Sequence, residues 1–426
     1  MTSKDRPSEA YVWIWLPGET EPVVAGLLTL DGSNLVFNYG QSYLARKDAI
    51  SIYEPELPLK AGLQQPATGL NMPSCIRDGA PDAWGRRVII NRRFGRKRDD
   101  IDVNQLDELT YLLESGSDRI GALDFQSSPT EYVAREARTA TLEELMAAAE
   151  RVEKGVPLTP ELEQALFHGS SLGGARPKVM LVEHSEKYIA KFPAQNDVLN
   201  LVKAEYIAMR LAERIGLNVA PVRLVKAAGR DVLLIERFDR SRTAAGWTRK
   251  AMVSALTLFG LDEMMARYAS YEDLCSLIRH RFTDPAGTLR ELYGRLVFNI
   301  LVGNTDDHAR NHAAFWDGKS LTLTSAYDIC PQARAGNEAT QAMLITADDR
   351  MSQLVTCRKA AKNFQLTEAD ADAIIAAQVG TVREAWAEIC DEAELSEVDR
   401  NAMWRRQFLN PFAFEGLPDH LQKLAV

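Results

Sequence analysis

Cysteine and histidine are scarce in this chain, which has 426 residues but only five cysteines and six histidines. The cysteines are widely scattered, and none forms a C-x-x-C pair. The sequence therefore argues against a zinc knuckle and against a framework of structural disulfides. Such cysteine usage is typical of proteins in a reducing compartment, and we expect this protein to be cytoplasmic.

Long apolar stretches are missing as well. No run of about 18 apolar residues occurs, so we expect no membrane span. The opening decapeptide, MTSKDRPSEA, lacks the apolar core of a secretory signal peptide.

The chain also lacks an excess of basic residues, because its formal net charge is −9. This balance disfavours a protein that coats nucleic acid by itself, since phosphate binding needs a basic surface. One segment is locally basic despite this acidic balance, because it contains seven basic residues: Arg86, Arg87, Arg92, Arg93, Arg96, Lys97 and Arg98. We interpret this segment as a solvated helix face, with docking of an acidic partner or nucleic acid as the alternative.

Hydrophobic content of 46% and charged content of 26% are ordinary for a globular protein with a sizeable core. Short apolar runs at 11–17, 23–30 and 34–39 predict a β-rich start. Helices are predicted at 83–93 and 103–113, and a polar linker at 127–140. Thr141 and Glu144 have the spacing of a helix capping box.

A glycine-rich stretch spans residues 170–178, with the sequence SSLGGARPK. Small residues let the backbone approach phosphate oxygens closely, although glycine pairs more often form an ordinary turn. Lys191 follows on an apolar predicted strand, and Glu205 lies at the rim of the apolar face of a predicted helix, 199–215. A strand lysine held by a helix glutamate is how protein kinases position ATP phosphates.

A polar loop, GNTDDHARN at 303–311, lies between an apolar helix and an apolar strand. Asp306 and Asn311 are five positions apart, which is the spacing of the base and the metal-binding asparagine in kinase catalytic loops. Asp328 follows, where kinases place a second magnesium ligand. After the strand 232–235, residues 236–240 have the position of a kinase hinge. The order of these features predicts a kinase-like ATP site.

With these motifs, the chain resembles the HipA family of serine/threonine kinase toxins. The matching segments are the loop 303–311, AYDI at 326–329, SLGGARPK at 171–178, IERFDR at 235–240 and IRDGAPDAWGRR at 76–87. The resemblance implies an α+β, two-lobed protein-kinase-like fold with an additional N-terminal β-rich subdomain. The implied domains are the N-terminal subdomain at 1–130, a mixed β/α N-lobe at 131–238 and a mostly helical C-lobe at 239–426.

The resemblance also implies cofactors, ATP and Mg²⁺, and roles for individual residues. Asp306 would be the catalytic base, Asn311 and Asp328 the metal ligands, Glu205 a structural support, and Ser171 or Ser170 the site of autophosphorylation. The residues expected at the nucleotide are Ser171, Gly173, Gly174, Ala175, Lys178, Lys191, Glu236, Phe238, Asp239 and His308.

Family members pair with a HipB-like DNA-binding antitoxin. The resemblance thus implies that this chain meets DNA only through such a partner, does not bind membranes, and phosphorylates a protein, with aminoacyl-tRNA synthetases as the implied substrate class.

Three other functions stay open at this point. Asp306, His308 and His312 have spacing that a metal-dependent hydrolase could use. A pseudokinase could serve as an antitoxin partner and corepressor without catalysis. A small-molecule phosphotransferase would share the same ATP machinery.

Overall fold

The computed structural model describes residues 7–95, 106–135, 140–172, 174–183, 185–194, 197, 199–334 and 336–425. The chain divides into two compact units. The first takes the described residues up to 194, Val225–Val253 and Phe315–Lys319, and the second takes Asp197–Leu224, Ser254–Ala314 and the described residues from Ser320 onward. The three predicted domains stay a prediction, because this division follows internal contacts rather than family boundaries.

Within the described residues, the strands are β1 (Glu9–Ile14), β2 (Val23–Asp31), β3 (Asn34–Tyr39), β4 (Leu123–Gln126), β5 (Lys178–Glu183), β6 (Glu186–Lys191), β7 (Val222–Ala227), β8 (Arg230–Glu236), β9 (Arg240–Thr243), β10 (Gly246–Arg249), β11 (Met252–Ser254), β12 (Ala313–Trp316) and β13 (Leu321–Leu323).

The α-helices are α1 (Gln41–Leu44), α2 (Ser74–Arg77), α3 (Ala83–Phe94), α4 (Glu108–Glu114), α5 (Leu142–Glu153), α6 (Pro160–Leu166), α7 (Leu201–Ile215), α8 (Ala255–Phe259), α9 (Tyr271–Arg281), α10 (Pro285–Leu301), α11 (Leu354–Ala360), α12 (Glu368–Glu392), α13 (Glu397–Met403) and α14 (Asp419–Gln422). Short 3₁₀ turns, including Phe167–Ser171 and Glu263–Tyr268, separate several of them.

The described strands form two four-stranded sheets, with the orders β3-β2-β1-β4 and β5-β6-β8-β7, and apart from the first three residues of β7 both belong to the first unit. Helices α3, α5 and α6 cover the second sheet, and their apolar faces share one buried core with it. Trp84 of α3 and Phe192 after β6 are among its largest side chains. Burying a side chain of this size contributes about 2–3 kcal/mol, so the core fixes the sheet against α3.

The second unit is mainly helical. Helix α7 lies along the long helix α12, where Arg210 forms a hydrogen bond to Glu392 (3.2 Å) and the Lys203 ammonium donates to the carbonyl of Glu394 (2.7 Å). Helix α10 is buried along most of its second half. None of the described helices is both long and apolar enough to cross a membrane.

Several expectations are confirmed at the level of single elements. Strand β3 has the predicted bounds, α3 begins at the predicted residue, and the side chains of Thr141 and Glu144 form both hydrogen bonds of a capping box. All five cysteines are buried.

The predicted linker at 127–140 contains no helix or strand in its described residues, 127–135 and 140, and its central part is held against β4. The Tyr132 hydroxyl donates to Asp124 (3.1 Å), and the Arg135 guanidinium binds the same carboxylate (2.8 Å). These contacts tie the segment to β4, because a buried carboxylate needs cationic and hydrogen-bonding partners.

The basic segment is a solvated helix face only in part, because Arg87 is exposed. Arg86 pairs with Glu108 (2.7 Å), while Arg92 and Arg93 both pair with Glu114. Three of the arginines of α3 therefore attach α4. Residues 96–98 of the segment lie outside the described part of the chain.

Candidate active site

The polar loop after α10 leaves the helix in a direction fixed by Gly303. This residue has φ of +68°, and a Cβ built on it would lie 2.7 Å from the carbonyl oxygen of Gln407. Asn304 follows, and its side-chain amide donates to Asn299 on α10 (3.0 Å). The loop thus begins at a point where only glycine fits.

Asp306 is exposed on this loop, and its pKa lies above the usual value of an aspartate. Partial removal of water raises it most, and the carboxylates of Asp328 and Asp307 raise it further, against the lowering effect of His308. Asp306 and Asp328 are therefore close enough to repel each other. Such a pair of carboxylates is stabilised when a cation binds beside it.

Asp328 is placed by two short contacts of the residues before it. The amide of Ala326 donates to Asn218 (2.7 Å), and the Tyr327 hydroxyl donates to the carbonyl of Arg310 in the polar loop (2.6 Å). Asp328 itself has φ of +59°, an unusual conformation for a residue with a side chain. Backbone strain of this kind is found most often at functional sites.

Asn311 lies beside Asp306, because its amide nitrogen donates to the Asp306 carbonyl (3.2 Å). Its amide oxygen is then the atom that can bind a cation. An amide oxygen and a carboxylate, Asn311 and Asp328, are the hard oxygen ligands that Mg²⁺ prefers. The donor set of this loop therefore fits the predicted magnesium ion.

The metal-hydrolase alternative is wrong. The Nε2 atom of His312 lies 3.0 Å from the Asp307 carboxylate and 3.3 Å from the Tyr271 hydroxyl, inside the protein. The Nε2 atom of His312 is consequently engaged by Asp307 and Tyr271. Among the residues that the structure describes, no group of three or more His, Cys, Asp or Glu side chains could hold a metal.

In the first unit, Lys178 and Lys191 are directly opposite each other in the β5–β6 ladder. Directly opposed side chains lie on the same face of a sheet. Each residue is only 8% exposed, so two lysine side chains share a largely buried region of one sheet face. Like charges in this arrangement favour binding of an anion such as phosphate.

The described part of the glycine-rich stretch folds back on this lysine pair. Gly174 has φ of +89°, and a Cβ there would collide with the Lys178 ammonium. The Gly174 carbonyl accepts the amide of Trp84 (3.0 Å), and the Trp84 indole donates to the Lys178 carbonyl (2.8 Å). Gly173 lies outside the described residues, and Ala175 is exposed.

Both candidate phosphorylation sites are buried, with exposures of 0% for Ser170 and 2% for Ser171. Ser170 donates to the carbonyl of Phe167 (2.6 Å) and accepts the amide of Gly116 (3.0 Å). Ser171 makes one such bond, to the carbonyl of Asp118 (3.2 Å). In this conformation both hydroxyls are buried and hydrogen-bonded, and autophosphorylation at either serine stays a prediction.

The hinge segment continues from β8. The Glu236 pKa is raised, first by burial and then by the neighbouring Glu186, and the ring of Phe238 packs edge-on against Phe315 at 6.0 Å between ring centroids. Asp239 was expected to contact the nucleotide. Its carboxylate accepts the amide of Gly121 (2.8 Å) and pairs with Arg237 and Arg240, and its contact with the nucleotide stays a prediction.

These pairs belong to a buried ion network that motif spacing did not reveal. Arg237 and Arg240 also bind the Asp118 carboxylate (3.0 and 2.9 Å), which Lys187 binds from β6 (2.6 Å). Burial opposes the charged form of Asp118, but these cations outweigh it and hold its pKa well below the usual value. The network joins the hinge to the 115–121 segment.

Glu205 lies on α7 and is 4% exposed, so it is not a solvated glutamate. It belongs to the second unit, whereas Lys191 belongs to the first. Their pairing stays a prediction, and so does the meeting of Lys191 with Asp306, Asn311 and Asp328.

Two family models match the chain. The HipA N-terminal domain matches residues 14–126, and the HipA-like C-terminal domain matches residues 170–386, which is about half of the chain.

Two named relatives share about a quarter of their aligned residues with it. A Sinorhizobium fredii protein named "Putative kinase Y4mE" is 26% identical over 344 residues, 74% of this chain and 76% of the relative. The "Serine/threonine-protein kinase toxin HipA" of Shewanella oneidensis is 27% identical over 189 residues, 37% of this chain and 42% of the relative.

A solved structure extends the likeness to the whole fold. The match is to a complex described as "Shewanella oneidensis MR-1 Toxin Antitoxin System HipA, HipB and its operator DNA complex", with a TM-score of 0.70 at 18% identity, covering 97% of this chain and 99% of the matched one. The predicted α+β, kinase-like fold with its N-terminal β-rich subdomain is confirmed. With the C-terminal family model spanning half of its length, the chain belongs to the HipA family.

Proposed function

We propose that the protein is an ATP- and Mg²⁺-dependent serine/threonine protein kinase that acts as the toxin of a toxin–antitoxin pair. The observation that carries this proposal is the grouping of Asp306, Asn311 and Asp328, in which the carboxylate of Asp328 raises the pKa of Asp306 and Asn311 bonds to the Asp306 backbone. Family membership and the kinase names of the relatives support it.

Each residue has a defined task in this proposal. Asp306 accepts the proton of the substrate hydroxyl, a role that suits a carboxylate of raised pKa. Lys191 and Lys178 bind the phosphates, and the backbone of Glu236 and Phe238 binds adenine. Asn311 and Asp328 hold magnesium, which when bound neutralises the charge that develops on the transferred phosphoryl group.

Ser171 is the proposed site of autophosphorylation. It makes one of the hydrogen bonds described above, whereas Ser170 makes two, so releasing Ser171 breaks fewer contacts. The 3₁₀ turn must leave its buried position before either hydroxyl can react. The phosphate would add about two negative charges beside the ATP phosphates, and this charge would disfavour ATP binding.

The proposed partner is a HipB-like DNA-binding antitoxin, by analogy with the Shewanella complex, and the proposed compartment is the cytoplasm. DNA would be contacted only through the antitoxin. A protein is the proposed substrate, with aminoacyl-tRNA synthetases as the class to test first.

The test is incubation of the purified protein with Mg²⁺ and ATP labelled on the γ-phosphate, followed by mapping of the labelled residue. We expect label on Ser171 in the wild type and none in Asp306→Asn or Lys191→Met. Tight ATP binding without label on this chain or on any added protein would instead favour the pseudokinase, and transfer only to small molecules would favour a small-molecule phosphotransferase. Absence of ATP binding would refute the proposal.

A further inference from the structure

Two buried side chains anchor the polar loop, and each belongs to the residue that directly follows a proposed functional residue in the sequence. Asp307 follows Asp306, and His312 follows Asn311. Both anchors are 2% exposed, whereas Asp306 is exposed at the surface of the loop. The anchor side chains meet each other inside the protein, with the His312 Nε2 atom 3.0 Å from the Asp307 carboxylate.

Tyr271 completes this cluster from outside the loop. It is the first residue of α9, fully buried, and its hydroxyl donates to the second oxygen of the Asp307 carboxylate. The same hydroxyl lies 3.3 Å from His312, and the two rings pack edge-on at 5.4 Å between centroids. We infer that Tyr271 is a positioning residue of the phosphotransfer centre, which acts through Asp307 and His312 to hold Asp306 and Asn311 in their reactive orientation.

The physical reason is that a buried carboxylate must be held by donors. Without the Tyr271 hydroxyl, one oxygen of Asp307 would lose its donor inside the protein, and the loop could recover hydration only by turning Asp307 outward. That movement would rotate Asp306 as well, because the two residues are adjacent. A displacement of about 1 Å at a reacting group can cost about a hundredfold in rate.

The position of Tyr271 is itself fixed by the backbone. Its amide donates to the carbonyl of Leu344 (2.9 Å), and the Leu344 amide donates to Ala269 (2.9 Å). Ser270 caps the N-terminus of α9 through the amide of Asp273 (3.0 Å). A rigid helix start therefore presents the hydroxyl, as a positioning role requires.

The chain offers a matched control in Tyr293 on α10. Tyr271 and Tyr293 both pack against the ring of Phe364, at 6.3 and 5.1 Å between ring centroids. The Tyr293 hydroxyl is buried but has no hydrogen-bond partner in the described part of the chain. Removing it keeps the packing and breaks no bond to the loop.

The experiment compares Tyr271→Phe and Tyr293→Phe with the wild type in the labelled-ATP assay, and this arm rests on the proposed kinase activity. We expect kcat of Tyr271→Phe to fall at least about tenfold while KM for ATP changes less than about twofold, because the hydroxyl contacts the loop rather than the nucleotide. Tyr293→Phe should retain wild-type values. Equal kcat for the two variants in an active protein would overturn the inference, since a merely structural hydroxyl would lower stability alone.

A second arm does not depend on catalysis. Hydrogen exchange of the amides of 306–312 should be faster in Tyr271→Phe than in the wild type and unchanged in Tyr293→Phe. Equal exchange in all three proteins would overturn the inference even if the wild type transfers no phosphate, whereas an inactive wild type with the expected exchange would count against the proposed function only.

Discussion

The adjacent aspartates Asp306 and Asp307 should respond in opposite ways to neutralisation. Asp306 has a raised pKa, whereas the pKa of Asp307 is lowered, because contacts from His312 and Tyr271 outweigh the cost of burial. An ionised Asp306 therefore costs folding free energy at neutral pH, while an ionised Asp307 stabilises the folded state. The variants Asp306→Asn and Asp307→Asn separate these effects.

We expect Asp307→Asn to lower the free energy of unfolding by about 3 kcal/mol at pH 7, the scale for disrupting a buried ion pair. The stabilisation from Asp307 is present above the unfolded-state pKa of about 3.9 and disappears as the pH falls through the lower folded-state pKa. The loss of unfolding free energy caused by Asp307→Asn should thus become smaller at acidic pH.

Asp306→Asn should unfold at an equal or higher temperature than the wild type at pH 7, and lack phosphotransfer. This increase in unfolding temperature over the wild type should vanish below about pH 4, where Asp306 is protonated in both the folded and the unfolded state. Thermal unfolding of the three proteins between about pH 2 and about pH 8 measures both effects. If Asp306→Asn were destabilised as strongly as Asp307→Asn at pH 7, the assignment of Asp306 as the strained, functional carboxylate would be refuted.

Two further pairs of substitutions, each a test with its control, probe the scaffold of the protein by urea unfolding. Gly303→Ala should destabilise by about 3 kcal/mol and reduce phosphotransfer, because it adds a clash with Gln407 to the left-handed backbone, whereas Gly260→Ala, with φ of +64° and open space around it, should cost only about 1 kcal/mol. Asp118→Asn should destabilise by about 3–5 kcal/mol because it removes the buried carboxylate that Lys187, Arg237 and Arg240 share, whereas Asp48→Asn, at an exposed pair, should leave the urea midpoint of unfolding nearly unchanged. Equal losses within either pair would contradict the account.

The local elements of the site could be predicted from the sequence because their signals are local. The spacing of Asp306, Asn311 and Asp328, the apolar flanks of the loop and the capping box at Thr141 all lie within short windows of the chain. The structure confirms the capping box, and it brings Asp328 to Asp306 and bonds Asn311 to the Asp306 backbone.

The buried contacts could not be predicted in the same way. Asp118 meets Arg237, which is 119 positions away, and no periodicity links the two residues. The burial of Ser170 and Ser171 depends on the 115–121 segment, another long-range contact. Strand β9 alternates arginine with small polar residues, and strand β10 contains a single large apolar residue, Trp247, so neither has the apolar pattern by which the sequence predicts a hairpin. Tyr271 carries no motif, and only its partner Asp307, directly after the proposed base, could have drawn attention to it.

The most direct test of the central claim is a crystal structure of the protein with Mg²⁺ and a non-hydrolysable ATP analogue. The account predicts one nucleotide whose phosphates contact the Lys191 ammonium and whose metal ion is bound by Asn311 and Asp328, with Asp306 facing the γ-phosphate. A nucleotide bound away from these four residues, or a metal ion held by other side chains, would contradict it.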